Sequence, residues 1–297
     1  MDTQVKVDDS EIWQIIPKQL TLRQVATGFG FTEGPIWCGD YLLFSDIPRN
    51  RIVRLRMLSE GPEVTTFRSP SGNSNGLTLD KSSRLIACEH SSRRITRTEI
   101  DGSISVLADR YKGRRLNSPN DVVVRSDGSI YFTDPPYGLK NFSTWKELNF
   151  NGVYRLAPDG ELLLLVDDFE RPNGLAFSPD EAVLYINDTA RKHIRAFNIS
   201  LDGSLSNGRV LIDMEESEQE GAPDGMKVDT QGNIYCTGPG GLWIIDPSGK
   251  CLGRIAIPEL PANLAWGDSD WKTLYITARS SIYCLQLTIP GIAAWTT

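Results

Sequence analysis

Histidine is nearly absent from this chain of 297 residues, with only His90 and His193. That excludes a three-histidine metal centre and the HExxH helix, so any metal must be held mainly by oxygen. The five cysteines, Cys38, Cys88, Cys236, Cys251 and Cys284, are odd in number and lack the close pair spacing of a zinc or redox motif. They read as free thiols. No run of Lys or Arg exceeds a pair, and 31 basic against 38 acidic residues leave a net charge of −7. Neither a nucleic acid nor an anionic membrane surface is therefore expected as a partner. The longest aliphatic run, Leu162 to Val166, is far short of the roughly 20 residues of a spanning helix. The first twenty residues include Asp2, Asp8, Asp9 and Glu11 and have no basic start followed by an apolar core, so a cytoplasmic location is expected.

What the chain does contain is a repeat. Segments beginning EGPIW at Glu33, NGLTL at Asn75, NDVVV at Asn120, NGLAF at Asn173, DGMKV at Asp224 and ANLAW at Ala262 are spaced by 42, 45, 53, 51 and 38 residues. A period of this size accommodates four short strands and their turns. Each unit continues into a second strand rich in aromatic and β-branched residues, such as YLLFSDI from Tyr41 or SIYFTDP from Ser129. A third follows, such as RIVRLR from Arg51, in which apolar and polar residues alternate. Turns at Asp101-Gly102, Asp159-Gly160, Asp202-Gly203 and Ser248-Gly249 lead to a fourth. The expected fold is all-β, a six-bladed propeller of four-stranded antiparallel blades. The sixth unit lacks a fourth strand, and the segment Leu22 to Phe29 precedes the first unit unclaimed. That segment is predicted to close the ring as the outer strand of the last blade. Residues 1–21 are then an N-terminal extension and 22–297 a single propeller domain, monomeric because closure leaves no sheet edge to pair.

Equivalent positions of the blades form rings around the channel. The first such column reads Glu33, Asn75, Asn120, Asn173, Asp224 and Ala262. Five of these side chains carry oxygen, and two are carboxylates. Converging anions are unfavourable in a partly desolvated channel unless a cation neutralises them. An all-oxygen set suits one divalent ion, Ca²⁺ first, with Mn²⁺, Mg²⁺ or Zn²⁺ as alternatives. A second column, Asp46, Glu89, Asp134, Asp188, Gly238 and Ala278, ends the second strands, where carboxylates commonly cap turns. Asp134 also opens the longest interruption in any blade, Pro135 to Asn151, whose Phe142, Trp145 and Phe150 are expected to wall or cover the site. His90 and His193 occupy unmatched repeat positions and form no triad.

EGPIW from Glu33, NSPNDVVV from Asn117, FTDPPYG from Phe132, RPNGLAFS from Arg171 and APDGMKVD from Ala222 together resemble the family that groups senescence marker protein 30, gluconolactonase and the luciferin-regenerating enzyme. The likeness runs from about Gly28 to Leu287 and is greatest to the bacterial gluconolactonase-like branch. It implies a lactonase that opens a sugar lactone or related cyclic ester with metal-activated water at the channel mouth. It further implies that Glu33, Asn173 and Asp224 bind the metal, and that Asn120 joins them or holds a water of the ion. Asp224, and after it Asp134, is the expected proton acceptor. Animal members carry a sugar-contacting Arg where this chain has Ser118, which leaves Arg171, Asn117 and Asn75 as substrate-contacting replacements. Two other functions fit the same residues: a non-catalytic ligand-binding propeller with a structural metal, and a paraoxonase-like hydrolase of aryl esters or phosphotriesters.

Overall fold

A computed structural model describes residues 3–140, 145–215 and 219–293. Among the described residues, six antiparallel sheets, five of four strands and one of five, surround a central channel. The innermost strands of blades 1 to 6 are Thr32–Trp37, Ser74–Leu79, Val122–Val124, Pro172–Phe177, Met226–Val228 and Pro261–Gly267. Turn glycines adopt the positive φ their bends need, +82° at Gly102 and +92° at Gly160. Apolar side chains fill the wedges between neighbouring blades. Between blades 6 and 1, Trp37 stacks on Tyr275 with centroids 5.3 Å apart.

The ring closes as expected. Arg23–Thr27 pairs antiparallel with Ser281–Gln286 in blade 6, in the register Arg23↔Cys284 and Thr27↔Ser281. Val25 and Phe29 are buried there beside Phe44, Val53 and Ile282. The segment ahead of this strand is also built into the molecule. Val5–Val7 adds a fifth strand to blade 5, pairing with Cys251–Ile255. A single helical turn, Ile12–Ile15, then sets Ile12, Ile15 and Ile16 against Tyr235, Leu252 and Trp266. Those three isoleucines have the i, i+3, i+4 spacing of one helical face. A Cβ at Gly253 would stand 2.4 Å from Ile12 Cδ1, so glycine makes room for the contact.

The strand ends that form the channel mouth are held from one blade to the next. Ser45 Oγ donates to the Asn75 carbonyl at 2.7 Å, Thr133 Oγ1 to that of Asn173 at 2.8 Å, and Asn187 Nδ2 to that of Asp224 at 2.6 Å. Each buried bond of this kind contributes about 1 kcal/mol, and each fixes one member of the first column. Backbone amides add a second tie. Gly76 donates to the Asn120 carbonyl at 2.7 Å, Gly174 to that of Asp224 at 2.9 Å and Gly225 to that of Ala262 at 2.6 Å.

Candidate functional site at the channel mouth

The first column converges on one end of the channel, as the repeat predicts. Asn75, Asn120 and Asn173 are joined side chain to side chain: Asn75 Nδ2 donates to Asn120 Oδ1, and Asn120 Nδ2 to Asn173 Oδ1. Asn173 Nδ2 in turn donates to Thr189 Oγ1 at 3.0 Å, whose hydroxyl donates to the Pro223 carbonyl at 2.7 Å. Glu33 is buried. Its Oε2 accepts from the Gly34 amide at 2.5 Å and from Asn263 Nδ2 at 3.0 Å. Asp224 is half-buried at the mouth, with its backbone amide donating to Thr237 Oγ1 at 3.0 Å.

Two members of the site lie one residue beyond the aligned column. That next column reads Gly34, Gly76, Asp121, Gly174, Gly225 and Asn263. Added Cβ atoms would come within 2.0 Å of the Asn75 carbonyl oxygen at Gly34, and within 2.1 Å of the Asp224 carbonyl oxygen at Gly174. The strands approach too closely there for a side chain. Only blades 3 and 6 carry one, and Asn263 Nδ2 reaches Asp121 Oδ2 at 3.5 Å across the channel. Asp121 thus becomes a third carboxylate beside Glu33 and Asp224, and Asn263 turns its amide nitrogen to Glu33 and Asp121. The signal for both was the break in an otherwise glycine column.

The electrostatics follow from this crowding. Burial, then the charges of Asp224 and Asp121, hold the Glu33 carboxyl well above its ordinary range. Burial and Asp121 push Asp224 up in the same way. Burial also raises Asp121, against the opposing charge of Lys227. Among the described residues, no Lys or Arg lies within ion-pair distance of these three acids. His90 Nε2 sits 3.3 Å from both Asn75 Nδ2 and Asn120 Oδ1. Burial lowers its pKa to about 4, so it is neutral near pH 7.

Asn117 and Asp134 lie together behind this ring. The Asn117 amide donates to Asp134 Oδ2 at 2.7 Å, and Asn117 Nδ2 to the carbonyls of Asp134 at 2.9 Å and Phe150 at 3.0 Å. Ser118 Oγ donates to the Pro135 carbonyl and accepts from the Gly138 amide. Both Asn117 and Asp134 are fully buried. Burial pushes Asp134 up to about 7, although the Asn117 and Ser118 amides oppose it. This knot anchors the long loop of blade 3. Gly138 packs against His90, where an added Cβ would meet the His90 Cβ at 2.6 Å. Tyr137 is thereby carried to the mouth, its hydroxyl buried near Thr189 and Asn173 and in the field of Asp224. The exposed Arg171 guanidinium lies 6.0 Å from the Tyr137 ring centroid. Phe150 packs edge-on against Tyr111, and Trp145 is half exposed at the surface. Phe142 lies outside the described residues.

The profile of the SMP-30/gluconolactonase/LRE-like region matches residues 31–280. The chain is 37% identical to a gluconolactonase of Zymomonas mobilis over 294 residues, covering 90% of this chain and 82% of that one. A solved Xanthomonas campestris structure, described as a gluconolactonase, superposes with a TM-score of 0.86 at 35% identity, covering 95% of this chain and 94% of that one. An Agrobacterium tumefaciens regucalcin, described as a calcium-binding protein, shares the fold with a TM-score of 0.76 at 19% identity, covering 93% and 96% of the two chains. Matched over most of its length, the chain belongs to the SMP-30/gluconolactonase/LRE-like family.

Proposed function

We propose that this protein is a lactone hydrolase that works with one divalent cation, Ca²⁺ first, at the channel mouth. The observation that carries the reading is the cluster of Glu33, Asp224 and Asp121, crowded in a narrow channel beside three asparagine side chains and, among the described residues, without an ion-pair partner. This hard-oxygen set fits such an ion. Glu33, Asn173 and Asp224 would hold it, with Asn120 alongside. When bound, the ion supplies Lewis-acid polarisation of an ester carbonyl and lowers the pKa of water. The likeness to gluconolactonases favours a sugar lactone as substrate.

The chain's own residues supply positioning and proton transfer. Asp224 is the only one of the three acids open to the mouth, so it receives the proton of the attacking water. Water oxygen bonds to the carbonyl carbon, the ring C–O bond breaks, and the ring oxygen takes up the proton held by Asp224 and leaves as a hydroxyl of the opened acid. Arg171, exposed at the rim, contacts the hydroxyl groups of the substrate, with the half-buried Tyr137 ring beside it. Asn75 and Asn120 orient it from the ring. Asn117 and Asp134, enclosed and bonded to the loop, act by holding Tyr137 in place.

A hydrolysis assay on lactones, aryl esters and phosphotriesters, run before and after chelation with each divalent ion added back, tests the reading. Lactone turnover that disappears with chelation and returns with metal supports it. A structural metal alone predicts lost thermal stability with no turnover of any substrate, and phosphotriester or aryl-ester preference points to the paraoxonase-like alternative.

A further inference from the structure

One lysine reaches the carboxylates from the opposite side. Three residues past the first column, the inner strands carry Ile36, Thr78, Val123, Ala176, Lys227 and Ala265. These residues line a cavity of about 510 Å³ at the far end of the channel, and Lys227 is the only ionisable member of the column. Its ammonium turns toward the acids. It donates to the Met226 carbonyl at 3.1 Å and to Asn263 Oδ1 at 3.5 Å, and its charge is the largest influence opposing the effect of burial on Asp121. Asn263 is oriented by its partners. Its oxygen also accepts from the Leu264 amide at 2.8 Å, which turns its amide nitrogen to Glu33 and Asp121.

Once the acids are ionised, three carboxylates and one ammonium leave two negative charges in the channel. We infer that Lys227, aligned through Asn263, is the resident counter-charge of the site: it offsets Asp121 from below and sets a preference for divalent over trivalent cations. This rests on the cation-binding reading above and adds the residue that tunes it. Ligand charge count is a main determinant of affinity at oxygen sites, and Coulomb energies are large where water is excluded.

The test uses the full chain with Ca²⁺ and Tb³⁺ as probes, titrated calorimetrically into wild type, Lys227→Met, Lys227→Arg and the double variant Lys227→Met/Asp121→Asn. Lys227→Met should shift the ratio of the two dissociation constants toward Tb³⁺ by about tenfold or more. Lys227→Arg should keep the wild-type ratio, and adding Asp121→Asn should restore it. Melting of the metal-free variants gives a readout without any cation: Lys227→Met and Asp121→Asn should be non-additive, the double variant losing less than the sum of the singles. An unchanged ratio in a wild type that binds Ca²⁺ overturns this inference alone. A wild type that binds neither ion overturns the cation-binding reading and this inference with it.

Discussion

Two sets of buried acids in this molecule have opposite surroundings. Asp46, Glu89 and Asp188 end their second strands fully compensated. Asp46 accepts from Arg51 at 3.0 Å and from the Gly30 amide. Glu89 is held by Arg68, by Arg94 at 2.6 Å and by Thr96 at 2.9 Å. Asp188 accepts the backbone amides of Glu170, Arg171, Ala190 and Arg191. Glu33 and Asp121, a few residues away in the repeat, each accept one neighbouring backbone amide, from Gly34 and Val122, and otherwise these two and Asp224 have one another, asparagines and a distant lysine. The difference separates acids paired with cations and amides from acids that, on the proposed reading, await a cation, because a buried charge without an opposite charge costs stability until something neutralises it.

The largest effect should come from the frame that both sets share. Deleting residues 1–30 removes the closing strand and the isoleucine contacts and should abolish cooperative unfolding by calorimetry; a truncated chain that melts like the full one would break the account of closure. Exchanging acid for amide then divides the two sets. Glu89→Gln leaves Arg68 and Arg94 facing a neutral group and should cost about 2–3 kcal/mol of stability by denaturant titration. Asp224→Asn should leave the metal-free protein as stable as wild type, or more so, while lowering turnover by at least about 100-fold. Equal stability losses in both variants would erase the distinction.

The smallest effect is in pH. Burial raises Asp134 to about 7 and lifts Glu33, Asp224 and Asp121 above their ordinary range. An acid whose folded pKa is raised contributes stability that is fully present below its unfolded pKa, roughly 4, and is lost as pH rises through the folded value. His90, lowered to about 4, acts the other way, removing stability as pH falls below roughly 6.5. Four acids outweigh one histidine between pH 5.5 and 8. The metal-free protein should therefore melt lower at pH 8 by roughly 5 °C, and Ca²⁺ should remove most of that drop. A flat profile in the metal-free protein would mean that its acids are already compensated.

The blades were legible in the sequence because their strands carry alternation and four of the turns an Asp-Gly or Ser-Gly, features that repetition makes visible. The closing strand was legible as a missing fourth strand matched by a spare one. Val5–Val7 was not, because three residues carry too little pattern to announce a fifth strand on blade 5. At the channel mouth, the column from Glu33 to Asp224 could be read because side chains distinguish it. Asp121 and Asn263 belong to the site for a reason outside local sequence: neighbouring strands pass so closely that four of six blades require glycine there. The enclosure of Asn117 and Asp134 was equally hidden, since residue type does not reveal that the long loop would be folded over both.

The central claim is that Glu33, Asp121 and Asp224 form an uncompensated cluster completed by a divalent cation. Calorimetric titration of the chelated protein with Ca²⁺ at pH 6.5, in buffers of different ionisation enthalpy, tests it most directly. About one ion should bind per chain, with protons released as the raised carboxyls ionise. Heats that show no binding, or binding without proton release, would contradict it.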